Sequence, residues 1–316
     1  MKKHHITVKS HMDGLPLSVL LVEPEISPKA IVQILHGMCE NKERYEDFMN
    51  YLAKQGFVSI IHDHRGHGAS VYSKDDLGYM YENGAKALVE DTNQISRFIR
   101  KKYPELPIFL MGHSMGSLVA RAYIKRYDRV LDGLIVCGSP SNNRACSFAY
   151  LIAKISGKIL GDKTPARFLQ KLTLGNFNSK IHKKSSENSW ICNNEDIVKA
   201  YDESDLCGFT FSLNGFENLF KLMMTVYDKH HWNMNNSKLP IWFISGSEDP
   251  CMTSQKEFLK AVNLMKEVGY RNVKYTIYKG MRHEILNEKD KKVYHDIVTK
   301  LEVWLSQSNY GAVRRR

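Results

Sequence analysis

The sequence predicts an α/β fold in which a mostly parallel sheet carries helices on both faces. Three observations lead there. Short apolar runs of strand length alternate with amphipathic runs of helical period over most of the 316 residues. The alternation itself implies crossover connections, which set successive strands parallel. Finally, Gly112-His113-Ser114-Met115-Gly116 lies between one such strand and one such helix, where two glycines permit a very tight turn.

Residues 5–10 and 17–22 flank Met12-Asp13-Gly14-Leu15-Pro16 and form an antiparallel hairpin around that turn. A buried strand over 31–35 runs into His36-Gly37-Met38-Cys39-Glu40. The helix expected over 43–54 puts Tyr45, Phe48, Met49 and Leu52 on one face and stops at Gly56. A strand over 57–61 leads into the loop His62-Asp63-His64-Arg65-Gly66-His67-Gly68-Ala69-Ser70, and a long amphipathic helix over 85–102 ends before Pro104. The central strand, 108–111, meets the serine turn. A helix over 117–125 follows, with Leu118, Val119, Ala122 and Ile124 at helical spacing. Strands over 133–137, 241–245 and 273–278, with helices over 254–268 and 289–306, complete the alternation.

The alternation breaks between 142 and 238, a stretch rich in Leu and aromatics with no strand pattern. It starts and ends at sheet strands, so a helical lid over their C-terminal edge is expected. The division is then a discontinuous core, 1–141 and 239–308, a cap over 142–238, and a basic tail, 309–316.

Composition is that of an ordinary globular chain, with a net charge of +11. Lys180, His182, Lys183 and Lys184, and Arg314, Arg315 and Arg316, are local basic clusters. No aromatic-interleaved groove accompanies them, which argues against nucleic acid. They suit a solvated face, with anionic lipid surfaces as a lesser option. Cys39, Cys137, Cys146, Cys192, Cys207 and Cys251 show no paired spacing and are expected as reduced thiols. The start has no signal-peptide apolar stretch, and the apolar runs are too short to span a bilayer, so a cytoplasmic soluble protein is the default expectation.

A serine hydroxyl needs a base to become a nucleophile, and the base needs an orienting carboxylate. Both should follow other strands, because sites in open α/β sheets form beyond the strands' carboxyl ends. Asp249 follows the strand 241–245 by a short polar turn, with Glu248 as its adjacent competitor, and His283 follows the next strand. His295 falls within the last helix and does not compete. The order Ser114, Asp249, His283 suits a serine elbow on this fold. The backbone N–H groups of Met38, after the third strand, and Met115, at the helix start, are positioned to form an oxyanion hole. His62, His64 and His67 near Asp63 raise the question of a metal. Their irregular loop defines no ligand geometry, so no metal is expected; Asp63 and Arg65 are expected to brace the His36 segment. Cys251 is expected as a packed small residue near the site.

These residues resemble the α/β-hydrolase superfamily and, within it, the monoacylglycerol lipase and lysophospholipase-like branch grouped with serine aminopeptidases of S33 type. The resemblance is carried by His36-Gly37-Met38 with Glu40, Arg44-Tyr45, Asp63 to Ser70, Gly112 to Gly116, Gly246-Ser247-Glu248-Asp249 and Gly280-Met281-Arg282-His283-Glu284. Ser117 departs from the glycine often found after the elbow. The resemblance implies an eight-stranded α/β-hydrolase sheet with its lid after the sixth strand. It also implies a cofactor-free serine hydrolase cleaving esters of monoacylglycerols or lysophospholipids through an acyl-enzyme. Two other readings stand beside it. The same triad can cleave an N-terminal peptide amide, as proline iminopeptidases do, if lid acids such as Glu195 and Asp196, or Asp202, Glu203 and Asp205, grip the substrate's ammonium. Or the fold can be a non-catalytic binding module, against which the intact triad argues. The surplus of lid apolar residues can line an acyl-chain tunnel or touch a lipid surface.

Overall fold

The computed structural model describes residues 1–181 and 184–307. The expected tail, 309–316, and His182 and Lys183 of the basic cluster lie outside the described residues. Among the described residues, eight strands form one sheet. They are β1 (Lys2–Lys9), β2 (Pro16–Glu23), β3 (Ala30–Leu35), β4 (Phe57–His62), β5 (Ile108–His113), β6 (Gly133–Cys137), β7 (Pro240–Gly246) and β8 (Asn272–Tyr278). Their order is β1-β2-β4-β3-β5-β6-β7-β8, with β1/β2 and β2/β4 antiparallel and every other pair parallel.

Every residue of β3, β4, β5 and β6 is buried, which is why these strands read as continuous apolar runs. Edge strand β1 instead alternates exposed and half-buried positions and carries lysines at its ends, a pattern that discourages pairing with another chain. One face of the sheet is covered by α1 (Glu46–Lys54) and α9 (Lys292–Gln307), which pack Phe48, Leu52, Ile297 and Leu301 onto it. The other carries α2 (Gly84–Lys102), α3 (Met115–Tyr127) and α8 (Gln255–Glu267), through Leu88, Ile95, Leu118, Val119 and Phe258. Each such side chain contributes roughly 2 kcal/mol of burial, which fixes the sheet as a rigid platform.

Between β6 and β7 lie α4 (Cys146–Leu160), α5 (Arg167–Leu174), α6 (Glu195–Asp202) and α7 (Leu213–Tyr227). α7 starts at Ser212, whose hydroxyl accepts from the Gly215 amide at 3.0 Å. It then ties the insertion down: Asn214 and Asn218 accept from the Met80 and Ala85 amides at 2.9 and 2.8 Å. α4 packs on α7 in turn, so α4 stands farther from the sheet.

Two of the boundaries that differ from expectation have a local cause. α3 begins at Met115 and not at 117, because Ser114 itself occupies the capping position: its carbonyl accepts the Ser117 amide at 2.9 Å. α9 begins at Lys292 and not at 289, because Asp290 stays outside the helix and its side chain accepts the Lys292 amide at 2.8 Å.

Candidate active site

The elbow is built by close approach. Ser114 has φ 52° and ψ −118°, a strained conformation for a residue with a side chain. The turn holds because β5 and α3 touch: a Cβ on Gly112 would meet the Gly116 carbonyl, and a Cβ on Gly116 would meet the Leu35 carbonyl. The Ser114 amide donates to the Cys137 carbonyl at 2.9 Å, and the Ser117 hydroxyl donates to the Ser114 carbonyl at 2.6 Å. Ser117 therefore serves the turn in which it replaces glycine.

Asp249 is buried at the end of β7, while Glu248 beside it is exposed. The Asp249 carboxylate accepts from His283 Nδ1 at 2.9 Å, the Cys251 amide at 2.8 Å and the Ser245 hydroxyl at 3.0 Å. Burial alone would raise its pKa, but His283 and these donors outweigh burial and hold it below the usual carboxylate range. An ionised Asp249 fixes the proton on Nδ1 and leaves the Nε2 lone pair of His283 available. The ring is further confined by Trp190 and His113, with centroids 5.2 and 4.7 Å away, and by Gly138, where a Cβ would come within 3.2 Å of it.

Ser114, His283, Met38 and Met115 line one cavity of about 410 Å³. Among the described residues neither the Met38 nor the Met115 amide has an acceptor, so both donors are available to a ligand oxygen. The His36–Gly37 segment is fixed from behind. His36 Nε2 accepts the His64 amide at 2.8 Å, which puts the ring proton on Nδ1, facing the Gly37 carbonyl at 2.8 Å. Glu40 accepts from the Gly37 amide, from Arg44 at 2.8 Å, from Tyr45 at 2.9 Å, and contacts His113 Nδ1 at 3.1 Å. Burial opposes the charge on Glu40, but His113 and Arg44 hold its carboxyl well below the ordinary range. Conversely the His113 pKa is raised, burial being outweighed by Glu40. Arg44 also forms a two-pronged pair with Glu284, at 2.6 and 2.7 Å.

The expected bracing of the His36 segment is divided differently. Asp63 accepts from the Lys42 amide and ammonium, both at 2.8 Å, and so holds the far end of that loop. Arg65 turns away to Asp91 at 2.9 Å and Asp13 at 2.8 Å, because those carboxylates neutralise it inside the fold. Histidines 62, 64 and 67 do not converge on a point. Among the described residues, the group of three potential metal-ligand side chains whose ligand atoms all lie within 4.8 Å of one another is Asp249, Cys251 and His283. Cys251 is buried, as expected, yet its Sγ lies 3.9 Å from His283 Nε2 on the cavity wall.

The spacing of residues did not point to the Glu40–His113 contact or to Trp190 beside the imidazole. His113 sits inside the elbow motif, which marks it as a neighbour of the serine, but nothing in the sequence pairs it with Glu40. Trp190 belongs to a segment stitched to the His283 loop. The Glu284 amide donates to the Ile191 carbonyl at 2.6 Å, and Arg282 donates to the carbonyls of Ser189 and Cys192 at 2.7 and 2.9 Å.

A family model described as serine aminopeptidase, S33, matches residues 26–290. The chain belongs to that family. Within the S33 family its similarity runs to lipid-ester enzymes. It is 24% identical over 300 residues to a monoglyceride lipase of Homo sapiens, covering 93% of this chain and 88% of that one. It is 23% identical over 276 residues to a monoacylglycerol lipase of Mycolicibacterium smegmatis, covering 87% and 89%. A solved carboxyl esterase from Bacillus coagulans, in complex with glycerol, superposes with a TM-score of 0.88 at 26% identity over 96% of this chain and 99% of that one. The α/β-hydrolase resemblance and the fold expected from sequence are therefore both found, on an S33 chain.

Proposed function

We propose that this protein hydrolyses carboxylic esters of lipid-like monoacyl substrates, monoacylglycerols or lysophospholipids, through an acyl-enzyme formed on Ser114. The observation that carries the reading is the coincidence, on one cavity wall, of a strained serine, an imidazole oriented by a buried carboxylate, and two amides without acceptors. His283 Nε2 takes the Ser114 proton as Oγ attacks the ester carbonyl, and Asp249 keeps the Nδ1 tautomer and balances the imidazolium. The Met38 and Met115 amides receive the charge that develops on the carbonyl oxygen. His283 then gives its proton to the leaving alcohol, and the same base activates water to release the acid.

The cavity favours an ester with an acyl chain over an N-terminal peptide. Leu118, Leu174, Phe177, Leu219 and Met223 supply apolar wall. The carboxylates lining it are Glu40 and Glu284, both already paired with Arg44. Glu195, Asp196, Asp202, Glu203 and Asp205, the acids an ammonium grip would need, are exposed and not among the residues that line the cavity. The similarity to monoglyceride lipases points the same way.

The insertion 142–238 acts as the cap that encloses the acyl chain. Its outer face meets lipid: on α4 Phe148, Leu151, Ile155 and Ile159, at helical spacing, are half to three-quarters exposed, as are Phe168 and Leu172 on α5. Exposed Lys158, Arg167 and Lys171 beside them suit an anionic surface. A series of nitrophenyl esters of increasing chain length, run beside aminoacyl anilides, tests the reading. Ester turnover rising with chain length, with fluorophosphonate labelling lost in Ser114→Ala, is expected; anilide turnover with feeble ester turnover would replace it with the peptidase reading.

A further inference from the structure

Cys251 Sγ stands 3.9 Å from His283 Nε2, and both residues line the cavity that holds Ser114. We infer that a soft divalent cation of the zinc type binds between Cys251 Sγ and His283 Nε2 and switches the site off.

The argument is geometric first. Bonds from zinc of about 2.3 Å to sulfur and about 2.1 Å to nitrogen, at a near-tetrahedral angle, require the two donors to stand about 3.6 Å apart. Here they stand 3.9 Å apart. A small side-chain adjustment closes that difference. The nitrogen is also the right one: Nδ1 is engaged by Asp249 at 2.9 Å, leaving the Nε2 lone pair directed into the cavity. A carboxylate holding the far nitrogen of a histidine is the arrangement that orients imidazole ligands in metal sites and raises their basicity. Asp249 is thus already in place as the supporting carboxylate, its other contacts to the Cys251 amide and the Ser245 hydroxyl keeping it there. Water entering from the cavity can fill the open positions.

Such cations bind cysteine as the thiolate, so ligation displaces the thiol proton. The thiol proton leaves to solvent, the thiolate and the Nε2 lone pair both bind the ion, and its two positive charges face Asp249 and the new thiolate. No electron is transferred. The Nε2 lone pair that would accept the serine proton is then occupied, so base catalysis and metal binding exclude each other.

The inference rests on the proposed hydrolase function only for its activity readout; binding is read independently. The purified protein is titrated with cobalt(II) and followed by absorption. A thiolate-to-cobalt charge-transfer band is expected in wild type and in Ser114→Ala, and its absence in Cys251→Ser and Cys251→Ala. In parallel, zinc is titrated against nitrophenyl ester turnover, each variant normalised to its own metal-free rate. Either Cys251 variant should raise the half-inhibiting zinc concentration by at least about tenfold, the scale on which weakened ligation reduces affinity. A chelator should restore turnover in wild type. No cobalt band in wild type, or equal zinc sensitivity in wild type and both Cys251 variants, overturns the inference. A Cys251-dependent band in a protein that cleaves no ester supports the metal site and counts against the hydrolase reading alone.

Discussion

His113, the residue before the elbow serine, contacts Glu40 at 3.1 Å, and Glu40 in turn holds the amide of Gly37. One buried carboxylate therefore links the turn that presents Ser114 to the loop that presents the Met38 amide. The same imidazole reaches the His283 carbonyl through Nε2 at 3.3 Å. Glu40 and His113 together set three segments distant in sequence relative to one another. Glu40→Gln keeps the shape and removes the charge. It should cost about 1–3 kcal/mol of stability, the range for leaving a buried hydrogen-bonding group unsatisfied, because Arg44 keeps its pair with Glu284. It should also lower kcat more than KM, because the amide loop shifts while the acyl wall stays. Guanidinium unfolding and steady-state kinetics measure both, and a variant unfolding at the wild-type midpoint would remove Glu40 from this role.

Asp249→Asn tests the orientation of the base. An amide cannot balance an imidazolium, and it can present its N–H to Nδ1, which favours the unproductive tautomer. The expected loss in kcat is about 10⁴-fold, the effect of the same change in a serine-histidine-aspartate triad. The proposed oxyanion donors, the Met38 and Met115 amides, belong to other loops, so residual turnover above the uncatalysed rate should remain. If Glu248→Gln instead produced the larger loss, the carboxylate assignment would move one residue despite the exposure of Glu248.

Much of the candidate site's arrangement was legible because it lies where strands end. Ser114, Asp249 and His283 each follow a buried apolar run by a few residues, and α/β topology brings such ends to one rim. The Glu40 network was not legible, because Glu40, Arg44, His113 and Glu284 come from three separate segments and only the packed fold says which carboxylate meets which cation. Cys251 was read as packing because burial and access look alike in sequence. The structure gives it both: it is buried from bulk solvent and still on the cavity wall. The start of α3 was placed two residues late because a helix capped by a residue at positive φ offers no Ser-x-x-Glu signature.

The outer face of α4 and α5 gives a prediction about where the protein works. Replacing Phe148, Ile155 and Phe168 together by serine removes much of an exposed apolar surface without touching the cavity wall. Sedimentation with vesicles containing an anionic lipid should then fall markedly, while turnover of a water-soluble short-chain ester stays at the wild-type rate. Vesicle binding unchanged by the triple substitution would assign that surface to something other than lipid.

A last prediction concerns acid. His36, His62, His64 and His67 are fully buried, with His64 within 4.3 Å of His36 and 5.1 Å of His62, ring to ring. Burial pulls His62 down to about 3 and His67 down to about 4, and pulls His36 and His64 well below their ordinary value. Once unfolded, each titrates near 6.5. Between those values the unfolded chain holds more protons than the folded one, so stability is intact above about pH 6.5 and is lost as pH falls. Each histidine contributes a slope of about 1.4 kcal/mol per pH unit, so the four together remove about 5 kcal/mol per unit, comparable to the whole stability of a typical domain. His113 works in the opposite sense. Its raised pKa contributes stability that is complete below its unfolded value and is lost as pH rises through the folded one. Unfolding midpoints measured from pH 7.5 downward should therefore drop steeply between about pH 6.5 and pH 5, a window set by histidine and not by the depressed carboxyls. Among the described residues neither ring nitrogen of His62 has a hydrogen-bond partner, so His62→Leu removes a titrating group without orphaning a donor. Its slope should be shallower than wild type by about one proton, and equal slopes would mean that His62 takes up no proton on unfolding.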